Sequence, residues 1–287
     1  MKRTIYACIL GLLAFGISSC GDSNDPNNPN ANQGVLPGSF SVSISELIQF
    51  SQGNLQYNQS LKEWRFAIHQ WDYVGDSQQG TVYENDKKCN NGYIAVASYK
   101  GWVDLFGWGT GLMPMSFSTE DNFYKDFHDW GQNAIINGGN IAGEWFTLTD
   151  KQWDYIFKRR PHATELRGFG TVNGVPGLIL LPDLWIKPNG FTFVSSDATN
   201  DAAGWDANQY NAKQWGVMEK AGAVFFPAAG MRKGVNVSNI KEAGFYWTGD
   251  VETARFVGFD LQEMLKLPSQ PAESPSNGLS VRLVKYE

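Results

Sequence analysis

The pattern of hydrophobic and polar residues in the segment 144–160 predicts a helix with one buried face. Its apolar residues recur at i, i+3 and i+4, namely Trp153, Ile156 and Phe157. Thr149 stands at the expected N-cap, and Gln152, three residues later, completes a capping box that satisfies two backbone donors. Leu148 and Trp153 flank this cap with the spacing of a hydrophobic staple. The segment therefore predicts a helix docked on a core.

The segment 210–222 repeats this arrangement and predicts a second helix. Asn211 is the expected N-cap and Gln214 its capping-box partner. Tyr210 and Trp215 have the staple spacing, and the glycine that closes the segment is a natural C-terminal stop.

Most other apolar residues fall in short runs bounded by Gly, Pro and Asp, as is typical of β-strands. One strand with a bulge is expected at 41–50, and a hairpin is expected at 54–67 around a polar connection. Further strands are expected at 145–147, 178–181, 223–226, 244–247, 255–259 and 279–286, and an exposed polar loop at 76–91. Two helices among many short strands indicate an α+β fold in one domain.

Two glycine-rich stretches, 107–111 and 168–174, have spacings that invite comparison with nucleotide-binding loops. No helix pattern follows either stretch, and Pro114 interrupts the first. In the second, Asn173-Gly174 predicts a hairpin turn. We expect the glycines to permit close backbone packing and not to cradle a phosphate.

The N-terminal segment 1–19 combines a basic start, an apolar stretch and small residues, which is typical of a secretory signal peptide. The sequence Ile-Ser-Ser-Cys that ends at Cys20 resembles a bacterial lipobox, which implies cleavage before this cysteine and its acylation. An ordinary signal peptide with an incidental cysteine is the alternative. The Asn- and Pro-rich segment 20–39 is expected to be a flexible tether, and 40–287 a single folded domain.

Charge and cysteine content narrow the classes of function. Asp22 and Asp25 resemble the acidic export signals of Bacteroides-type surface lipoproteins, which implies a surface-exposed outer-membrane protein; a periplasmic orientation is the alternative. The net charge of −6 without basic runs argues against nucleic acid and against anionic lipid, so membrane attachment is expected through the lipid anchor alone. Of three cysteines, Cys8 leaves with the leader and Cys20 is acylated, so Cys89 has no partner for an internal disulfide.

The segments 145–155, 244–248 and 279–284 together resemble a known fold. Their sequences, WFTLTDKQWDY, GFYWT and LSVRLV, are similar to those of C-type-lectin-like domains. The branch they resemble is shared by formylglycine-generating-enzyme-like domains, fibrobacter-major-paralogous-like domains and Bacteroides-type surface lipoproteins. The resemblance implies two main helices packed on short antiparallel sheets, with ligands bound by long irregular loops. Because such folds carry enzymes, adhesins and binding proteins alike, it leaves the function open.

Two activities of the resembled family are not expected here. Formylglycine-generating enzymes use cysteines near the end of the domain, and this chain has none after Cys89. Calcium-dependent lectins carry motifs to which the segment 247–250 is only distantly similar.

Local motifs for catalysis are sparse. The three histidines form no metal-binding pattern, the serine-hydrolase elbow is missing, and the segment 126–129 is expected to be a solvated turn. Three carboxylates could supply a pair for glycoside hydrolysis, namely Glu144, Glu165 and Asp183.

The segment 195–210 concentrates polar residues around a tryptophan. Its oxygen-bearing side chains, which could serve as calcium ligands, are Asp197, Asn200, Asp201, Asp206 and Asn208. Because the spacing is not that of an EF-hand, an ordinary polar loop is the alternative. Trp205 in this loop and Trp185 upstream could mark a binding surface, or they could pack within the loop.

The sequence thus predicts a lipid-anchored, non-enzymatic binding or adhesion protein that recognises a glycan or a protein. Tryptophan would supply contact area, and charged side chains would supply orientation. The candidate ligand-binding residues are Trp185, Trp205, Asp206, Asp250 and Arg255. The alternatives are a hydrolase acting on surface glycans and a structural envelope or pilus-associated subunit.

Overall fold

The short apolar runs form strands and the two capped segments form helices in the computed structural model, which describes residues 34–73, 83–84, 88–90, 99–196, 204–260, 266–271 and 274–287. Contacts divide the chain into two units, Met1–Ala31 and Asn32–Glu287. The first unit, with the expected signal peptide and Cys20, lies outside the described residues. Within the described ranges, no helix combines the length and the apolar character needed to cross a membrane.

Strands make up most of the regular structure. They are β1 (Val35–Ser41), β2 (Leu47–Ser51), β3 (Leu55–Asn58), β4 (Glu63–Phe66), β5 (Tyr83–Glu84), β6 (Lys88–Asn90), β7 (Phe146–Thr147), β8 (Arg167–Val172), β9 (Val175–Leu180), β10 (Gln209–Tyr210), β11 (Val224–Pro227), β12 (Met231–Lys233), β13 (Asn236–Ser238), β14 (Ala243–Trp247), β15 (Arg255–Asp260), β16 (Lys266–Pro271) and β17 (Leu283–Tyr286). The helices are α1 (Asp150–Asp154), continued by a π-helix (Tyr155–Arg159), α2 (Gly204–Ala207) and α3 (Ala212–Lys220). Short 3-10 turns lie at Asp121–Phe123 and Trp130–Gln132.

The strands form small sheets with the orders β1-β2-β17-β7, β10-β8-β9-β11, β12-β13-β6-β5, β14-β15-β16 and β3-β4. Neighbouring strands are antiparallel except for β10 and β8, which are parallel. The described part of the chain is therefore a mixed α+β fold of small antiparallel sheets and few helices, which confirms the predicted class.

Both predicted helix starts are confirmed. Thr149 and Gln152 form a capping box before α1, and Asn211 and Gln214 form one before α3. Both staples are buried, and in the second the Tyr210 and Trp215 rings lie 5.9 Å apart. Since each box satisfies backbone donors that would otherwise lack partners, local sequence is sufficient to begin these helices.

The predicted single strand at 41–50 is wrong. The chain turns between β1 and β2, where the Val42 amide donates to the Glu46 carbonyl at 3.0 Å. The alternation of apolar and polar residues continues through Ile44 across this turn, but the Ile44 side chain faces solvent. The boundary of the expected tether is also corrected, because β1 begins at Val35 and Leu36 is buried in the core.

The exposed loop expected at 76–91 also needs correction. It contains β5 and β6, and Cys89 pairs with Val237 of β13. The segment lacks a strand pattern of its own, so its pairing comes from a distant strand.

The glycine-rich stretches serve backbone packing, as predicted. Asn173 and Gly174 have φ values of 49° and 79°, the left-handed pair that a tight hairpin between β8 and β9 requires. A Cβ on Gly111 would lie 2.6 Å from the His128 carbonyl oxygen, so a side chain at this position would collide with the backbone.

Buried arginines bind backbone carbonyl groups between the sheets, a feature that the sequence did not reveal. Arg232 donates from Nε to the Leu105 carbonyl at 3.0 Å and from Nη1 to the Gly234 carbonyl at 2.6 Å. Arg160 donates from Nη1 to the Leu181 carbonyl, just after β9, at 2.9 Å and from Nε to the Ile156 carbonyl of the π-helix at 2.8 Å. Each guanidinium satisfies carbonyl groups in connecting segments or near the ends of elements, and so joins these parts of the chain.

Candidate functional site

Two of the predicted binding residues, Asp250 and Arg255, meet at the start of α1. The Asp250 Oδ2 atom accepts hydrogen bonds from the Asp150 amide at 2.9 Å and from Thr248 Oγ1 at 2.5 Å. The Gly249 amide donates to the Leu148 carbonyl at 2.8 Å, which ties this loop to the residue before the helix cap. Asp250 thus supplies a partner for one of the unpaired amides at the helix start.

Arg255 completes a small charged group with the two aspartates. Its Nε atom lies 3.8 Å from Asp150 Oδ2, and the Arg255 and Asp150 side chains are 34% and 26% exposed. The amide of Thr248, the residue after β14, donates to the Arg255 carbonyl at 3.0 Å and so fixes the start of β15 beside the end of β14. We call the group Asp150, Asp250 and Arg255 the charged triad; it is open to solvent.

The Asp150 carboxylate lies close enough to Asp250 to raise the pKa of Asp250. Partial burial raises the pKa of Asp250, and the hydrogen bonds from Thr248 and from the Asp150 amide oppose this. The neighbouring Asp150 carboxylate raises the pKa further, both by repulsion and by a side-chain hydrogen bond to Asp250. Asp250 therefore holds a proton more strongly than an ordinary aspartate.

Replacing Asp250 with asparagine should reduce the pH dependence of stability. A raised folded-state pKa means that this group stabilises the fold below the unfolded pKa of about 3.9, and the contribution is lost as pH rises through the folded value. Asparagine keeps the acceptor for the Asp150 amide and removes the repulsion, so Asp250→Asn should be at least as stable as wild type near neutral pH. Urea unfolding at a series of pH values measures this.

Asp206→Asn, at an exposed aspartate on α2, is the matched control and should follow the wild-type pH curve. Parallel curves for wild type and Asp250→Asn would show that the carboxylate pair is not coupled to folding.

Trp205 lies on α2 and packs against the core. Its ring is 5.3 Å from the Phe169 ring and 5.9 Å from the Phe259 ring, and its carbonyl accepts a hydrogen bond from Thr171 at 3.2 Å. The side chain is half-buried. One part of Trp205 therefore packs, and ligand binding by its exposed part stays a prediction.

Asn208 has a structural role in the segment expected to hold calcium. Its side-chain oxygen accepts from the Val194 amide at 2.8 Å, and its nitrogen donates to the Phe169 and Val194 carbonyls at 2.7 and 2.9 Å. Asp206 is exposed. The other three proposed ligands, Asp197, Asn200 and Asp201, lie outside the described residues. Calcium binding here stays a prediction, but the Asn208 side chain is already hydrogen-bonded to backbone groups of Phe169 and Val194.

Trp185 lies in the irregular segment after β9. It is half-buried against the cluster that contains Trp215 and Met218 of α3. The structure thus places Trp205 and Asp206 together on α2, Trp185 in another segment, and Asp250 and Arg255 near each other through their shared partner Asp150.

The carboxylates considered for catalysis each have a partner. Glu144 pairs with Lys285 at 2.9 Å, Asp183 with Arg160 at 2.9 Å and Glu165 with His162 at 3.1 Å, the last pair being exposed.

The solvated turn expected at 126–129 is wrong for one residue. Asp129 accepts hydrogen bonds from the Gly131 amide at 2.8 Å and from the Thr147 amide at 3.0 Å. Burial raises the pKa of Asp129 despite these bonds. Asp126 and His128 are exposed, as expected.

Sequence reasoning missed Asp150, which belongs to the triad, and Thr248, which donates a hydrogen bond to Asp250. An aspartate in the first helical turn is common because it complements the helix dipole, so Asp150 carried no separate signal. Its partner lies 100 residues away in the chain, and no local pattern joins the two.

A cavity of about 10 Å³ lies beneath α1, with room for about one water molecule. It is lined by Trp153, Phe157, Leu178, Phe226, Tyr246, Val257, Gly258 and Phe259. This space is far below the several hundred Å³ typical of a small-molecule site. Among the residues that the structure describes, no group of three or more His, Cys, Asp or Glu could hold a metal ion.

The fold and the triad define an α+β domain with a charged surface group and half-exposed tryptophans. Comparison with protein-family models, curated proteins and solved structures finds no match for the chain.

Proposed function

We propose that this chain is a lipid-anchored outer-membrane protein that binds a glycan or a protein ligand at the cell surface without catalysis. The single observation that carries the binding site is the charged triad, which joins two predicted binding residues at a solvent-open position. The lipid anchor is supported by the lipobox-like sequence at Cys20. The C-type-lectin-like fold is supported by the sequence resemblance and by the α+β class.

The chemistry of the triad suits a polyhydroxylated or peptide ligand. Carboxylate oxygens accept hydrogen bonds from sugar hydroxyls or peptide amides, and a guanidinium donates several. Trp205 packs on Phe259, four residues beyond Arg255 on β15, which is about 13 Å along a strand. A ligand that contacts both the triad and Trp205 would therefore span several sugar or amino-acid units.

A glycan array probed with the full chain, with and without calcium, tests the proposal. Arg255→Gln should weaken binding about tenfold or more, because it removes the triad's cation. Arg159→Gln, at a side chain that is 69% exposed at the end of the π-helix, is the matched control and should bind as wild type does.

Equal binding by Arg255→Gln and wild type would overturn the triad as the binding site. A ligand recovered in cleaved form would favour the hydrolase alternative. Binding that requires calcium would support the oxygen-rich segment 197–208 as a calcium site.

A further inference from the structure

Three aliphatic side chains project from two adjacent loops of this domain. Ile44 is 96% exposed on the turn between β1 and β2. Leu184 and Ile186, in the irregular segment after β9, are 91% and 82% exposed. We call Ile44, Leu184 and Ile186 the apolar tips. Single exposed aliphatic residues are ordinary, but three nearly bare ones on neighbouring loops form a distinct feature.

Asp183 joins the bases of the two loops. Its amide donates to the Ser39 carbonyl at 3.0 Å, and its Oδ2 atom accepts from the Ser41 amide at 2.9 Å. Its other oxygen accepts from Arg160 Nη1 at 2.9 Å, and the Arg160 side chain is fully buried. The two loops therefore leave the domain at one place, where an ion pair between Asp183 and the buried Arg160 joins them to the core.

Each loop is also held so that its apolar residues face outward. The turn that carries Ile44 is closed by hydrogen bonds from the Val42 amide and the Ser43 hydroxyl to Glu46, both 3.0 Å long. In the other loop, Trp185 packs against the core between Leu184 and Ile186. The exposure of the tips thus belongs to ordered loops.

We propose that the apolar tips insert into the interfacial region of the bilayer to which Cys20 is anchored. This inference rests on the proposed lipid anchor and adds a second membrane contact to it. Thirteen residues lie between Cys20 and Gly34, the first described residue, so the two are at most about 50 Å apart along an extended chain. Acylation of Cys20 would therefore keep the domain beside the membrane, and insertion of the tips would fix which face it presents.

The chemistry of the tips fits lipid better than a protein partner. Protein interfaces rely on tryptophan, tyrosine and arginine set in pockets, and leucine is under-represented among their energetic centres. A bilayer accepts convex aliphatic side chains without a matching groove. The neighbours Trp185 and Lys187 are of the types that favour the membrane–water interface. Because the chain is acidic, with a net charge of −6, the contact should be apolar and insensitive to salt.

The test uses the full chain produced in a host that acylates lipoproteins and reconstituted in phosphatidylcholine vesicles. A Cys89→Ser background carries Leu184→Cys, labelled with an environment-sensitive NBD fluorophore. Leu112→Cys, at a leucine that is 67% exposed on another loop, is the matched control. The label at position 184 should shift to the blue and brighten by about twofold or more, as on entry into the interface, and the label at 112 should not. The response should be equal in low and high salt.

Intact mass separates this inference from the proposed function. Acylated protein on vesicles whose label at 184 does not respond overturns the membrane contact and leaves the anchor standing. Protein without acyl chains overturns the anchor and the contact with it. Equal responses at 184 and 112, or a response lost when the protein is diluted in the bilayer, would show non-specific adsorption or pairing of copies and would also overturn the inference.

Discussion

Replacing Arg282 with methionine should lower the free energy of unfolding by about 3–5 kcal/mol, because it removes one charge from a buried network. The guanidinium is fully buried, and it donates to Gln70 Oε1 at 3.0 Å and to Asn54 Oδ1 at 3.4 Å. Burial lowers the pKa of Arg282 to about 10, still well above neutral, so the side chain is charged in the folded protein. Gln70 in turn donates to Glu219 at 2.8 Å.

Loss of Arg282 leaves Glu219 without the buried cation that offsets its charge. Burial already raises the pKa of Glu219, and the arginine opposes that shift. Methionine fills much of the vacated volume, so the measured loss reports mainly on charge and hydrogen bonding. Equilibrium urea unfolding of both proteins at neutral pH gives the difference.

Arg159→Met is the matched control, since that arginine is 69% exposed and pairs with Asp154 at 2.6 Å on the surface. Its replacement should cost at most about 1 kcal/mol. Equal costs for the two arginines would show that the buried network contributes little to stability.

Replacing Trp153 with alanine should cost about 3–5 kcal/mol, the usual range for removing a buried tryptophan. Its ring lies 5.9, 5.5 and 5.8 Å from the rings of Phe50, Phe157 and Phe226. These residues belong to β2, the π-helix and β11, so one side chain links three elements. Thermal and urea unfolding of the Trp153→Ala protein measure the loss.

Two further variants identify the cause of that loss. Trp153→Phe should recover more than half of it, because it keeps a ring and removes an indole N–H that has no hydrogen-bond partner among the described residues. Phe123→Ala, at a phenylalanine that is 61% exposed, should change stability by less than about 0.5 kcal/mol. A small cost for Trp153→Ala would mean that the staple residue is not a core element.

The parts of the fold that depend on neighbouring residues could be predicted from the sequence. Capping boxes join residues three apart, and the hairpin turn at Asn173-Gly174 depends on the backbone freedom of two adjacent residues. The turn after β1 was missed because Ile44 continued an apolar alternation while its side chain faces solvent. Hydrophobicity alone cannot distinguish a buried position from an exposed apolar one.

The candidate site was predicted residue by residue but not as an arrangement. The sequence indicates Asp250 and Arg255 as charged residues near a loop, but no local pattern connects them to their partner Asp150 in a helix start. Trp205 was identified as an aromatic residue in a polar loop, and the structure shows that part of its surface packs on Phe169 and Phe259.

By itself, the sequence determined the α+β class, the two helix starts, the turn between β8 and β9 and the use of glycine for close packing. These features depend on interactions between residues a few positions apart, and the order of residues in each short stretch determines those interactions. Only the tertiary structure decided that Asp250 meets Asp150, that Arg282 is buried beside Gln70, and that Ile44 and Leu184 rise from joined loops. Such contacts join residues 100 or more apart, and they form only when the small sheets pack together.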